Sequence, residues 1–346
     1  MNITRKNTNS AFDLGMISLR RRSYGKIFRF LIWLLIPLVL WWSLKDISVA
    51  EVFNSLRMIG LEAVLILFML NVLIIGLFTF RWWLILRAQG HKLSITTLIS
   101  YRLAGFGVTY FTPGPQFGGE PLQVYLLNQR EGIKTSGAAA SVTMDKLLEL
   151  LANFTFLLVG VAVVIFGGVL AVSTSAGLVF IPLLMLAIPA SYLIALRKRK
   201  LPVSIIFSKL ENRFLNASWF ARANKTLNET EQLVSEFCQK NTLGLLVAAA
   251  LSIGIWLLMV LEFSLMLRYL GVNLSLAQIL IALTAARIAF LLPLPAGLGT
   301  LEAGQVMAMG LIGVNPVIGI SLTLFIRVRD ILFGGLGLWL GGIYSK

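Results

Sequence analysis

Long apolar runs separated by short charged stretches make up most of this chain. Runs near 20 residues are long enough to cross about 30 Å of hydrocarbon at about 1.5 Å per residue. Six such spans are predicted, over residues 27–44, 62–80, 136–167, 176–196, 243–267 and 316–341. The pattern predicts an all-α polytopic membrane protein with about six full transmembrane helices.

Two further segments are apolar but interrupted by prolines and glycines. In the first, residues 95–111 lead into "TPGPQFGGEP" (112–121), and a return arm follows to residue 130. In the second, "LLPLPAGLGTLEAGQ" (291–305) separates apolar arms at 276–292 and 301–313. Such short arms are typical of re-entrant segments, whose irregular backbone must be buried in protein or line a wet cavity. We predict two re-entrant helical hairpins; for the first, a cytoplasmic loop between two complete spans is the alternative.

The two interrupted segments align when the chain is shifted by 181 residues. The shift places Gly118 on Gly299, Gly132 on Gly313, Lys146 on Arg327 and Glu149 on Asp330, with Glu120 one step from Glu302. Three predicted spans separate the hairpins, and an odd number inverts the second unit. An inverted repeat with paired broken helices is typical of transporters that bind substrate near the membrane midplane.

The composition agrees with this class. Of 346 residues, 58% are hydrophobic and 13% are charged. A single cysteine, Cys238, excludes an internal disulfide, and a single histidine, His91, argues against a metal centre. We expect no cofactor, and the net charge of +15 indicates membrane topology rather than a nucleic-acid partner.

The basic residues predict the orientation in the membrane. They gather before the first span (Arg5, Lys6, Arg20, Arg21, Arg22, Lys26), after the second (Arg81, Arg87, Lys92) and after the fourth (residues 197–200), whereas the other side has Lys45, Arg57 and Arg268. The positive-inside rule then places both termini in the cytoplasm. The start of the chain also resembles a signal peptide, but Lys45 and Asp46 beside the cleavage-like residues 48–50 favour a retained helix.

The predicted organisation has three parts. Residues 1–26 form a basic cytoplasmic segment, residues 27–346 form a single transmembrane domain, and residues 197–242 form a cytoplasmic loop within it. The start of the loop mixes basic and apolar residues, which predicts an amphipathic helix on the anionic leaflet. An ordinary linker is the alternative.

Charged residues inside the predicted membrane region are the candidate site. A charge at the bilayer centre costs about 2.5 to 3.5 kcal/mol on insertion scales. Eleven such residues are predicted: Arg102, Glu120, Asp145, Lys146, Glu149, Glu262, Arg287, Glu302, Arg327, Arg329 and Asp330. Lys146 with Glu149, and Arg327 with Asp330, are spaced to share a helical face. One interpretation is that these charges form structural ion pairs that hold the helices together.

The functional interpretation is a binding site for an anionic phosphate head group. Arginine binds phosphate through a bidentate fork, and the N-terminal ends of broken helices add N–H donors. The predicted substrate-binding residues are Arg102, Glu120, Lys146, Glu149, Arg287, Glu302, Arg327 and Asp330.

Four motifs carry a resemblance to a known family. They are the Pro/Gly block followed by "GGEPLQVYLLNQREG", then "AAASVTMDKLLELL", "PLPAGLGTLEAG" and "SLTLFIRVRDILFGGLG". In order and spacing they resemble the flippase-like membrane domain of lysylphosphatidylglycerol synthases, over about residues 60–345. The resemblance implies re-entrant helices, a role in moving lipids between leaflets, and roles for Glu120, Lys146, Glu149, Glu302, Arg327 and Asp330. Lys146 stands where the family usually has arginine, and because we expect no aminoacyl-transfer domain after Lys346, the resemblance is not extended to aminoacyl-phospholipid synthesis.

The leading functional prediction is a lipid translocator of a bacterial or archaeal cytoplasmic membrane. It would move an anionic phospholipid or a polyprenyl-phosphate-linked lipid, and membrane lipids would be its partners, with a homodimer left open. A secondary transporter of a small solute or ion is one alternative. An intramembrane enzyme acting on a lipid phosphate is another, but no catalytic motif is visible, so a protein that is not an enzyme is expected.

Overall fold

Every regular element in the described part of the chain is helical. The computed structural model describes residues 48–57, 59–112, 118–167, 175–214, 218–292 and 294–345, so the first predicted span and the basic segment before it lie outside the described residues. The helices are α1 (Val49–Arg57), α2 (Leu61–Ala88), α3 (Ile95–Phe111), α4 (Glu120–Glu131), α5 (Thr135–Phe166), α6 (Ser175–Arg197), α7 (Pro202–Phe214), α8 (Ser218–Lys240), α9 (Thr242–Tyr269), α10 (Leu276–Leu291), α11 (Thr300–Leu311) and α12 (Pro316–Ser345).

Four described helices are long and apolar enough to cross a membrane: α2, α5, α9 and, from Val179, α6. The chain is an all-α polytopic membrane protein. The predicted boundaries hold within a few residues for α5, α6 and α9, whereas α2 continues eight residues beyond the predicted end at residue 80. Helix α12 has 30 residues, enough length to cross, but its middle carries Arg327, Arg329 and Asp330.

The 181-residue shift relates the two halves helix by helix. Helices α2 to α5 (the first repeat, residues 61–166) correspond to α9 to α12 (the second repeat, residues 242–345), and α2 and α9 both have 28 residues. The N-cap serines of α3 and α10, Ser94 and Ser275, are 181 residues apart. Gly132 and Gly313 end α4 and α11 with φ of 66° and 75°, a left-handed backbone that favours glycine.

Packing between the repeats is reciprocal. Helix α2 packs against α9, α3 packs against α12, and α10 packs against α5. Small residues allow close approach at these crossings. A Cβ on Gly337 would overlap the backbone of Leu103 in α3, and one on Gly160 would overlap Thr284 in α10. Each hairpin is therefore held against the last long helix of the opposite repeat.

The two helical hairpins have short second arms. Helices α3 and α4 (the first hairpin) have 17 and 12 residues, and α10 and α11 (the second hairpin) have 16 and 12. Twelve residues rise about 18 Å, well short of about 30 Å of hydrocarbon. This length favours re-entrant hairpins over pairs of complete spans, and their depth in the bilayer stays a prediction. Residues 113–117, in the first tip, lie outside the described part of the chain.

Helices α7 and α8 lie in the predicted loop, between α6 and the second repeat. Glu231 on α8 accepts hydrogen bonds from the N–H groups of Val203 and Ser204 and from the hydroxyls of Ser204 and Tyr192, which fixes the start of α7. Val203, Ile205 and Ile206 on α7 remain exposed. The predicted position of this amphipathic helix on the anionic leaflet stays a prediction.

Candidate functional site

A cavity of about 330 Å³ lies between the two repeats. Helices α2 to α5, α9, α10, α12 and the turn after α10 all contribute to its wall. Its charged lining residues are Arg102, Glu120, Asp145, Lys146, Glu149, Glu262, Arg287, Arg329 and Asp330. The cavity therefore brings together six of the eight predicted site residues, and Glu302 and Arg327 are not among its lining residues.

At the first hairpin, a lysine joins two glutamates. Lys146 Nζ on α5 lies 2.9 Å from a carboxylate oxygen of Glu120 and 2.9 Å from one of Glu149. Glu120 is the first residue of α4, and its second oxygen accepts a 2.9 Å hydrogen bond from the N–H of Gly118. One carboxylate thus binds the backbone just before α4 and the helix that follows it.

At the second hairpin, the equivalent glutamate binds an arginine. Glu302 accepts from Arg327 Nε at 2.5 Å and from Nη2 at 2.8 Å, and it accepts from the N–H of Gly299 at 2.9 Å. Arg327 also donates to the carbonyl oxygens of Ala296 and Gly297, both at 3.2 Å. The alignment that placed Lys146 on Arg327 therefore matched two residues with the same structural role, and Arg327 here binds the hairpin rather than facing the cavity.

Arg327 and Asp330, which are spaced to share a face of α12, bind different partners. Arg327 turns to the hairpin, and Asp330 instead binds its neighbour Arg329, with Nε to Oδ1 at 2.8 Å. Arg329 also binds Glu262, and Glu262 accepts from Asn71 Nδ2 at 2.8 Å. Helical spacing alone could not show which partner each charge would choose.

Buried Asp145 lies between two arginines. Arg81 Nε lies 2.8 Å from Asp145 Oδ1, and Arg102 Nη2 lies 2.5 Å from Oδ2. The prediction that Arg81 follows the second span was wrong, because α2 continues past it to Ala88 and the residue is only 1% exposed. The uninterrupted apolar sequence from Trp82 to Leu86 was the signal that the helix does not stop there.

The crossing of α2 and α9 repeats one contact with opposite charges. Arg81 donates to Ser252 at 2.8 Å, and Asn71 donates to Glu262 at 2.8 Å. A shift of 181 residues places Asn71 on Ser252 and Arg81 on Glu262. The same position of the repeat thus carries a buried base in one half and a buried acid in the other.

The charged residues in and beside the cavity balance overall. Six basic residues (Arg81, Arg102, Lys146, Arg287, Arg327, Arg329) accompany six acidic ones (Glu120, Asp145, Glu149, Glu262, Glu302, Asp330). Five of the six bases lie in ion pairs, so much of the set is structural, as expected for charges removed from water. The exception is Arg287, which lacks a carboxylate within 4 Å among the described residues. Nor does the described part of the chain hold a cluster of three or more His, Cys, Asp or Glu side chains suited to a metal ion.

Two helical repeats around an ion-paired cavity, built from long apolar helices, define a multi-pass integral membrane protein with an internal polar site. The chain belongs to the family described as the lysylphosphatidylglycerol synthase TM region, whose sequence profile matches residues 27–336. This confirms the resemblance seen in the motifs.

Two archaeal proteins are similar to the chain. A UPF0104 membrane protein of Methanothermobacter thermautotrophicus is 23% identical over 291 residues, which cover 82% of this chain and 85% of the relative. The UPF0104 membrane protein MJ1595 of Methanocaldococcus jannaschii is 27% identical over 105 residues, covering 30% of this chain and 31% of the relative.

Proposed function

We propose that the protein translocates an anionic phospholipid or a polyprenyl-phosphate-linked lipid between membrane leaflets. The observation that carries the proposal is the charged cavity between the two repeats of a membrane protein. The polar head group would pass through this cavity while the lipid tails stay in the bilayer. The family, described by the membrane region of an enzyme that makes a lipid, supports a lipid over other cargo.

The two hairpins supply a route for alternating access. At the second hairpin, the side chains of Arg327 and Glu302 are 11% and 7% exposed; at the first, those of Lys146 and Glu120 are 16% and 24% exposed. The ion pair of the second hairpin is therefore the more shielded from solvent of the two. We propose that transport exchanges these states, so that each hairpin in turn closes its side of the cavity.

The proposed location is the cytoplasmic membrane, with the first hairpin on the cytoplasmic side. This orientation follows from the basic residues around the spans and from the odd number of spans between the hairpins. The single transmembrane domain over residues 27–346 and the lipid partners belong to the same proposal.

A reconstituted transport assay tests the function. Purified protein is placed in liposomes with fluorescent phospholipids or polyprenyl phosphates, and a membrane-impermeant quencher reports the leaflet that each lipid occupies. Ile75 on α2 lines the cavity, so Ile75→Trp should obstruct it. Leu65 on the same helix is 52% exposed and does not line the cavity, so Leu65→Trp is the matched control.

The expected result is faster equilibration of at least one lipid with wild type and Leu65→Trp, and a rate near that of protein-free liposomes with Ile75→Trp. Equal acceleration by both variants would exclude the cavity as the path. If the protein accelerates no lipid but carries a water-soluble anion, the solute-transporter alternative replaces the proposal.

A further inference from the structure

One basic side chain of the cavity wall has unused capacity to bind an anion. Four basic residues line the cavity, and three of them bind carboxylates: Arg102 at 2.5 Å, Lys146 at 2.9 Å and Arg329 at 2.8 Å. The fourth, Arg287 on α10, has no carboxylate within 4 Å in the described part of the chain.

The position of Arg287 is nevertheless well defined. Its guanidinium carbon lies 4.7 Å from the centroid of the Trp256 ring, and Nη2 lies 3.4 Å from Met259 Sδ. Trp256 is itself stacked on Phe156, with ring centroids 3.9 Å apart. A cation–π contact orients a guanidinium without occupying its N–H donors. The group is therefore held in place with its donors available.

Those donors lack adequate partners. A guanidinium has five N–H donors, and the recorded partner of Arg287 is a weak sulfur acceptor. Its Nε is buried without a hydrogen-bond partner, as is Nε of Arg102 on the other repeat. A partly buried cation without a counter-ion is costly, so binding an anion would compensate for this site.

On these grounds, and resting on the proposed function, we infer that Arg287 binds the phosphate or phosphodiester group of the ligand that enters the cavity. Phosphate offers several acceptor oxygens in the geometry that the guanidinium fork matches. The carboxylates of the cavity wall do not compete for Arg287, since each already lies in an ion pair with another base.

A binding experiment on the purified full chain tests the assignment. The probes are a short-chain phosphatidylglycerol, inorganic phosphate, and a short-chain diacylglycerol that lacks phosphate, each titrated by calorimetry. The variants are Arg287→Gln, which removes the charge, and Arg287→Lys, which keeps it without the fork. Arg268→Gln is the matched control, because Arg268 is exposed at the end of α9 in the same repeat.

Wild type should bind at least one phosphate probe and not the diacylglycerol. Arg287→Gln should weaken that affinity about tenfold or more, as expected for a lost charge-assisted hydrogen bond. Arg287→Lys should weaken it less, and Arg268→Gln should leave it unchanged. Elution as a monodisperse species shows that each variant folds. Preference for phosphatidylglycerol identifies a lipid source, and equal or tighter binding of inorganic phosphate identifies a free one.

The inference is overturned if wild type binds neither phosphate probe, or if both Arg287 variants bind as wild type does. Its failure is distinguishable from that of the proposed function. Phosphate binding that depends on Arg287 in a protein that moves no lipid would leave the inference standing and remove the function. Lipid transport with binding that is insensitive to Arg287 would do the reverse.

Discussion

The two repeats share one hairpin arrangement but differ in the basic residue that binds the hairpin. In both, a glutamate at the start of the second arm accepts from a glycine N–H and binds a base on the following long helix. In the first repeat, Lys146 is shared between two carboxylates beside the cavity. In the second, Arg327 uses its fork on Glu302 and its remaining donors on two carbonyl oxygens of the turn.

The contact between the arms differs as well. In the first hairpin, a Cβ on Gly119 would overlap the backbone of Gly105, so the arms meet backbone to backbone. In the second, the equivalent positions are Thr300 and Ala286, and the Thr300 hydroxyl donates to the carbonyl oxygen of Ala289 at 3.1 Å. The arms of the two hairpins are therefore held together by different contacts, a backbone contact in the first and a side-chain hydrogen bond in the second.

The largest expected effect on stability comes from the oppositely charged residues Arg81 and Glu262, which lie where α2 crosses α9. Arg81→Met removes one of the two bases that bind Asp145 and leaves Ser252 without its donor, so we expect a loss of about 3 to 5 kcal/mol in stability. Glu262→Gln should cost less, because the amide oxygen still accepts from Asn71. Thermal unfolding in detergent, followed by loss of the monodisperse elution peak, measures both.

Arg130→Met is the control for Arg81→Met, since Arg130 is exposed on α4. Arg130→Met should unfold at the same temperature as wild type. Unfolding of Arg81→Met at the wild-type temperature would mean that this buried pair does not stabilise the first repeat.

The next effect concerns the contact between the arms of the first hairpin. Gly119→Ala forces the new Cβ against the backbone of Gly105, and overpacking of this kind costs about 1 to 3 kcal/mol. Gly310→Ala, on the second arm of the second hairpin, has open space for the added carbon and should be neutral or slightly stabilising. Equal melting temperatures for the two variants would contradict the backbone contact as the feature that sets the first hairpin apart.

A smaller effect tests the ion pair that closes the second hairpin. Glu302→Gln removes the charge that Arg327 binds, so the turn at residues 296–297 should open more often. A reporter cysteine, Leu298→Cys, directly after that turn should then react with a maleimide about tenfold faster, which corresponds to destabilising the closed state by about 1.4 kcal/mol.

The native thiol gives little background in this experiment. Cys238 is buried on α8, and burial raises the pKa of its thiol to about 11, so it is protonated and unreactive at neutral pH. Glu120→Gln on the first hairpin is the control and should not raise the labelling rate at Leu298→Cys. An equal increase with both variants would show that the two hairpins open together.

The sequence predicted the repeat better than it predicted the pairing of charges. Apolar run length, glycines with positive φ and N-cap serines are local signals, so the 181-residue shift could be found without a structure. Partner choice is not local: Asp145 binds Arg81 from 64 residues away, and Arg329 binds Glu262 from 67 residues away. Arg81 was missed because a charge ending an apolar run resembles the end of a span, although the helix continues for seven residues to Ala88.

The smallest expected effect concerns one threonine hydroxyl group in each hairpin, on Thr109 and on Thr300. Thr109 Oγ1 accepts from the N–H of Gly119 at 2.9 Å, whereas the Thr300 hydroxyl donates to carbonyl oxygens. Thr109→Val leaves an N–H group without an acceptor, which costs about 1 kcal/mol or more. Thr300→Val leaves carbonyl oxygens, one of which, on Ala289, still accepts from Leu292, and should cost about half as much. Thermal unfolding of both variants side by side would show the reverse order if the second hairpin, rather than the first, depended on its hydroxyl.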